Sequence, residues 1–335
     1  MRIINKKYYL ASIFIILFTI IFWGGCNKSN KTKTISSYRV VDSFKIDFKK
    51  ATTIYAPEKI QNFFVCINMV NRTDLILFDD NGNILSTYDK KGKGPQEILR
   101  AQSLAVFNTK LYVIDSDNNK LLTFKLSDKE LKYIDEFKLK TRPMDIAIIN
   151  PNRILITSGG TKSLFIYNKN GKLLKDFSIN NKQNINTLKD FLSTLYAPDK
   201  FAESNKIVLS NAVSGQMIFC DFDEKTANIL FKKKIKPALK VKNNTNISTN
   251  KKGETSVDLN TIVSHGCSLN KFYILFDYSQ NNEFEVYNTR GEFLGLSKII
   301  GINKKINNCI FSANANILYF MKKGIDNMIF SAAKE

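Results

Sequence analysis

Apolar and polar residues alternate along most of this chain in short stretches, and clusters of Asn, Asp, Ser and Gly separate them. Alternation at period two, bounded by turn formers, predicts β-strands. The stretches recur on one plan: an apolar strand, a polar turn, a second strand closing on an aromatic residue, a Gly-containing turn and a third strand. KLYVIDSDNNKLLTFKLSDKELKYIDEF (110–137) and RILITSGGTKSLFIYNKNGKLLKDF (153–177) show it most plainly. FFVCINMVNRTDLILFDDNGNILSTY (63–88), KIVLSNAVSGQMIFCDFDEKTANILF (206–231), KFYILFDYSQNNEFEVYNTRGEFLGL (271–296) and NILYFMKKGIDNMIF (316–330) bring the copies to six. Asn81-Gly82 and Asn170-Gly171 predict tight hairpins with positive φ at both central residues.

The residue closing the middle strand falls at Phe78, Phe124, Tyr167, Cys220, Tyr287 and Phe330, at intervals of 46, 43, 53, 67 and 43. Four-stranded propeller blades repeat at roughly 40–50 residues. The two long intervals coincide with insertions near 181–203 and 236–258. In the first, INTLKDFLSTLYA (185–197) sets Leu188, Phe191, Leu192, Leu195 and Tyr196 at helical spacing and predicts an amphipathic helix. Short apolar runs ahead of the copies, LAVF (104–107), DIAII (145–149), SHGCSL (264–269) and NCIFS (308–312), supply innermost strands. The last copy ends one strand short, while YRVVDSFKIDF (38–48) stands unpaired at the other end. Joining them predicts an all-β, six-bladed β-propeller of four-stranded blades, closed by its N-terminal strand so that no sheet edge is exposed. An open ring or a two-sheet sandwich is the competing architecture.

The first 26 residues follow a different pattern. Arg2, Lys6 and Lys7 precede an apolar run, Tyr8–Trp23, and Gly24-Gly25 lead to Cys26. A charged start, an apolar middle and small residues before a cleavage point make a secretory signal. The ending resembles a bacterial lipobox, with Trp23 in place of the usual Leu. That resemblance implies acylation of Cys26 and a lipid anchor in a membrane. An uncleaved anchor is the alternative, although the run is shorter than the about 20 residues of a span. The organisation expected is a signal peptide at 1–25, a polar tether at 26–37 and the propeller at 38–335. The residues after Cys26 carry no acidic cluster, which favours a periplasm-facing envelope location over the cell surface.

Gly92-Lys93-Gly94-Pro95-Gln96-Glu97-Ile98, with LAVFNTKLYVIDSDNNKLLTF (104–124) after it, resembles the repeat of NHL-type, TolB-like six-bladed propellers. Many bacterial envelope lipoproteins carry that fold, so the resemblance implies a fold and an envelope setting. Function does not follow from it, since such propellers bind proteins, sugars or peptides and some are enzymes.

Charge changes this picture little. The formal net charge is +20, and removing the three basic residues of the signal leaves +17. Only seven of the 50 basic residues are Arg, the residue suited to bidentate phosphate contacts. No nucleic-acid partner is expected of an exported protein, and the lysines at 232–242 read as a solvated strand edge. Cys66, Cys220, Cys267 and Cys309 lie in apolar runs without C-x-x-C spacing; their three possible disulfide pairings stay open.

His265 is the single histidine, too few for the usual zinc site, and a Ser-His-Asp triad would lack its G-x-S-x-G elbow. Asp115–Asn119 begins like a calcium loop, but Lys120 and Leu126 occupy its sixth and twelfth positions. No cofactor or metal is expected. In a propeller the outer-to-inner connections converge on one mouth of the channel. Here they carry Glu97, Arg100, Arg142, Asp145, His265 and Lys305, the candidate ligand-binding residues. These observations point to a non-enzymatic binding or scaffold module for an envelope protein, glycan or peptide. The alternative is a hydrolase or lyase acting on a saccharide or lactone through Glu97, Asp145 and neighbouring carboxylates, with a divalent ion where needed.

Overall fold

The computed structural model describes residues 34–46, 54–68, 70–179, 193–200, 205–211, 214–236, 245–249, 255–259, 263–268, 271–276, 282–301, 306–311, 317–322 and 325–334. Every regular element among them is a β-strand. The first blade is β2 (Ile54–Ile60), β3 (Phe63–Asn68), β4 (Leu75–Phe78) and β5 (Ile84–Tyr88), from the channel outwards. The second is β6 (Ala101–Phe107), β7 (Lys110–Asp115), β8 (Lys120–Ser127) and β9 (Glu130–Lys138). The third is β10 (Asp145–Asn150), β11 (Arg153–Thr157), β12 (Leu164–Asn168) and β13 (Leu173–Phe177). The fourth is β14 (Tyr196–Lys200), β15 (Lys206–Asn211), β16 (Met217–Asp223) and β17 (Asn228–Ile235). A hairpin, β18 (Thr245–Thr249) with β19 (Thr255–Leu259), precedes the fifth blade. That blade is β20 (Val263–Ser268), β21 (Lys271–Phe276), β22 (Glu283–Asn288) and β23 (Phe293–Ile300). The sixth is β24 (Ile306–Phe311), β25 (Ile317–Lys322), β26 (Ile325–Lys334) and, outermost, β1 (Thr34–Lys45).

The ring closes as the unpaired N-terminal strand predicts. β1 runs antiparallel to β26 from Tyr38↔Lys334 to Lys45↔Met328. It begins at Thr34, four residues before the expected start of the domain, and its first residues pair in parallel with β23, Thr34↔Leu296 to Arg39↔Ile300. The fifth and sixth blades therefore share one eight-stranded sheet. The innermost strands neighbour one another in the order β2, β6, β10, β14, β20, β24 and back to β2.

The repeat has a physical basis in the two faces of each strand. Within β11, Ile154 and Ile156 face the second blade, packing with Ile114 and Leu121, while Leu155 faces the fourth with Ile207 and Leu209. Within β3, Val65 and Ile67 meet the second blade; Phe64 and Cys66 pack with Ile329 of the sixth. Each fully buried Leu, Ile or Phe contributes about 1.5–3 kcal/mol, so the seams between blades constitute the core. The closing residues are register-equivalent. Phe64↔Phe78, Leu111↔Phe124, Ile154↔Tyr167, Ile207↔Cys220 and Phe272↔Tyr287 pair alike. In each of these five blades the outer pairing shifts by a bulge at that residue.

Two expectations need correction. The Asn-Gly turns have positive φ at Gly82 (85°) and Gly171 (82°) only, not at the preceding Asn. Asp79 and Asn168 open the turns instead, their side-chain Oδ1 atoms accepting two backbone N–H groups each. A Cβ at Gly82 would lie 2.2 Å from the Lys45 carbonyl oxygen on β1, so this glycine also lets the first blade close on the sixth. The helix expected over 185–197 does not reach its C-terminal end. Tyr196 and Ala197 begin β14, the innermost strand of the fourth blade, and residues 185–192 lie outside the described residues. Tyr196 packs with Ile207 and Leu209 on the third-blade seam, and that burial overrides a local helical period. The second insertion contributes the β18–β19 hairpin.

Candidate functional site

The free edge of each innermost strand faces the channel, which suits residues that break a sheet ladder. Pro57 lies in the irregularity between Tyr55 and Glu58 of β2, and Pro198 lies within β14. The β2 irregularity sets Tyr55 and Glu58 in the channel. From the other blades come Ser103 on β6, Asp145 at the first position of β10 and Asp199 on β14.

These side chains act on one another across blades. Ser103 Oγ donates to Asp145 Oδ1 at 2.5 Å, and the Ile146 N–H adds a second hydrogen bond at 2.8 Å. The Arg72 guanidinium stands over the Tyr55 ring, 5.2 Å from its centroid. Burial and the Asp145 charge push the Tyr55 hydroxyl pKa up, while Arg72 opposes them. Burial first, then the charges of Asp199 and Asp145, push the Glu58 carboxyl up to about 8. Glu58 keeps partial solvent access because it lines the channel, yet the surrounding ring disfavours its ionised form. The charges of Asp199 on the fourth blade and Asp145 on the third thus reach Glu58 on the first and favour its protonated form.

The candidates read from sequence are distributed differently. Asp145 belongs to this channel group. Glu97 does not: its Oε2 accepts the Gly94 N–H at 2.7 Å, closing its own turn. Arg142 pairs with Asp117 at 2.6 Å on the exposed rim of the mouth. Arg100 donates its backbone N–H to Asp115, and its buried Nε has no hydrogen-bond partner. His265 lies on β20 opposite Ile274. Lys305 and Cys26 lie outside the described residues. Cys66 and Cys220 are buried free thiols, with pKa values raised by burial.

Glu58, Tyr55, Asp199, Ser103 and Arg72 escaped the sequence reading. No local spacing marks them, because they come from three strands and a loop. The Gly92–Ile98 turn also holds an unforeseen pair. Lys120, 1% exposed, reaches Glu136 at 3.0 Å and the Gly94 carbonyl at 2.9 Å. Asp115, fully buried, accepts the N–H groups of Leu99, Arg100, Asp117 and Asn118. The Asp115–Asn119 segment is therefore a turn whose carboxylate is occupied by backbone. Among the described residues, no group of three or more His, Cys, Asp or Glu is arranged to hold a metal ion.

The comparisons agree with this architecture. Residues 28–148, up to most of β10, match the family DUF5128, described as a 6-bladed beta-propeller. The chain is a six-bladed β-propeller. No curated protein matches it. A crystal structure of a Bacteroides fragilis protein described as exported is similar at 11% identity and a TM-score of 0.57, covering 88% of this chain and 98% of that one. The WD40 repeats of RRP9 are similar at 10% identity and a TM-score of 0.56, with the same coverage. At such identities the likeness is one of fold. An exported protein and a WD40 ring match almost equally, so it is the ring that is shared.

Proposed function

We propose that this chain is an envelope lipoprotein, anchored through Cys26 and facing the periplasm, whose propeller binds a glycan or peptide at the channel without turning it over. The observation that carries the reading is the convergence of Tyr55, Glu58, Ser103, Asp145 and Asp199 from four blades on one axis. Hydrogen-bonding groups gathered in a cleft between apolar cores are what orient a ligand. Two carboxylates beside a protonated carboxyl favour a ligand rich in hydroxyl or ammonium donors. Lipid anchoring is supported by the Gly24-Gly25-Cys26 ending, and export by that signal together with the described character of the Bacteroides fragilis relative in fold. Titration calorimetry with amino-sugar oligosaccharides, peptidoglycan fragments and basic peptides tests the reading. Binding by one class, lost in Asp145→Asn with the melting temperature retained, is expected. Binding unaffected by both Asp145→Asn and Asp199→Asn would overturn it.

A second reading has one observation in its favour. A carboxyl whose pKa is pushed up to about 8 by burial and neighbouring carboxyl groups is what a general acid requires. A saccharide hydrolase or lyase would then use Glu58 with Asp145 or Asp199, in place of the Glu97 expected from sequence. Turnover abolished in Glu58→Gln would establish it, and binding without turnover would remove it.

A further inference from the structure

The outer rim of the fourth and fifth blades carries a surface that the channel does not use. Among the described residues, Val41, Val70, Ile84 and Ile134 are single exposed apolar side chains. On β17 and β23 they come instead as adjacent pairs, Leu230 with Phe231 and Phe293 with Leu294. The pairs sit on neighbouring blades whose seam is tied together. Lys233 Nζ donates to the Gly291 carbonyl at 3.0 Å. Phe219 packs on Tyr287, whose ring meets Phe293 at a centroid distance of 5.5 Å.

Charge follows the same strip. β17 continues from Phe231 into exposed Lys232, Lys233 and Lys234, with Lys236 just beyond. Asp221 is shared by Lys206 and Lys232, and Glu292 is taken by Arg290, so the cations outnumber the anions here.

The chain enters the ring at this place too. Thr34 pairs with Leu296, two positions from Leu294. Seven residues lie between it and Cys26, and those eight Cα steps reach at most about 29 Å. Innermost strands start at the mouth and four antiparallel strands alternate, so β17 and β23 start at the opposite end, where both apolar pairs lie.

We propose that this rim is a membrane-docking face, with Leu230, Phe231, Phe293 and Leu294 seated at the headgroup level of an anionic bilayer and Lys232, Lys234 and Lys236 on its phosphates. Apolar side chains beside lysines combine burial of apolar area with attraction to anionic lipid. A short tether raises the effective concentration of the rim at the bilayer. Docked this way, the outer edge of β17 lies along the bilayer, since its lysines run from the apolar pair towards the mouth end. The inference rests on the membrane attachment proposed above.

The test uses the full chain in vesicles containing phosphatidylglycerol, with a nitroxide on Leu294→Cys, Phe231→Cys or, as control, Ile134→Cys on β9. Accessibility to oxygen against a water-soluble nickel complex reports depth, with the unsubstituted chain as background. Labels at 294 and 231 are expected in the interfacial layer and the label at 134 in water. Phosphatidylcholine vesicles, or the variant Lys232→Gln, Lys234→Gln, Lys236→Gln, should return the 294 label several-fold towards water. Sedimentation with vesicles reads attachment separately. A chain that sediments with an aqueous 294 label overturns this face alone; one that does not sediment overturns the attachment and the face together. Dipolar broadening between 294 labels at high dilution in lipid would give the patch to a second copy and overturn the proposal.

Discussion

Around the Gly92–Ile98 turn, polar groups are matched: Lys120 has Glu136 and the Gly94 carbonyl, Asp115 has four backbone N–H groups, and Glu97 has the Gly94 N–H. In the channel the balance is the reverse. Glu58 meets Asp145 and Asp199, groups of its own sign, in surroundings that disfavour charge. The first arrangement stabilises a connection between blades. The second gathers like charges and so raises the free energy of the folded state at neutral pH. Polar residues near the channel thus separate into a turn where opposite charges and backbone donors meet and a group where like charges meet.

The comparison can be broken most forcefully at Lys120. Lys120→Met leaves Glu136 without its cation and Gly94 without its donor, and breaking a buried pair costs about 3–5 kcal/mol. Urea denaturation should show a loss of that order; a loss below about 1 kcal/mol would place this pair with the ordinary surface ones. Next comes Asp115→Ala, which strips acceptors from buried N–H groups. A cost of about 2–4 kcal/mol is expected from thermal melts, given about 1–3 kcal/mol for each buried group left unsatisfied and partial compensation by water.

Glu58 sharpens the channel side. Its folded pKa is raised from 4.5 to about 8, so the folded chain binds the proton more tightly than the unfolded one. Its contribution is fully present below pH 4.5 and is lost as pH rises through about 8. Denaturation between pH 4.5 and 9 should show stability falling with pH by on the order of 4 kcal/mol from this group, and Glu58→Gln should flatten the slope. A slope unchanged in that variant would mean that the carboxyl is not held neutral. Arg142→Ala should do least. Its pair with Asp117 is largely exposed, and such pairs contribute less than about 1 kcal/mol.

Much of the ring was legible before folding was considered. Phe78, Phe124, Tyr167, Cys220, Tyr287 and Phe330 each fall on the third strand of a blade, and the orphan N-terminal stretch is the strand that completes the last one. The fourth innermost strand was not legible. Tyr196–Lys200 is short, contains Pro198 and adjoins residues spaced like a helix, and only the seam with the third blade makes it a strand.

Local patterning was enough for the all-β class, the six-fold repetition and the closure at the N-terminus, because short apolar strands bounded by turn formers recur at blade spacing. Tertiary structure alone decided which polar residues face one another. Glu58, Asp145 and Asp199 are scattered along the chain and meet only because three blades point their inner edges at one axis. Glu97 occupies the connection expected to reach the mouth, yet a single hydrogen bond to Gly94 turns it back into its own loop. Local patterns record which side of a strand is buried; long-range electrostatics depends on where the ring carries each strand.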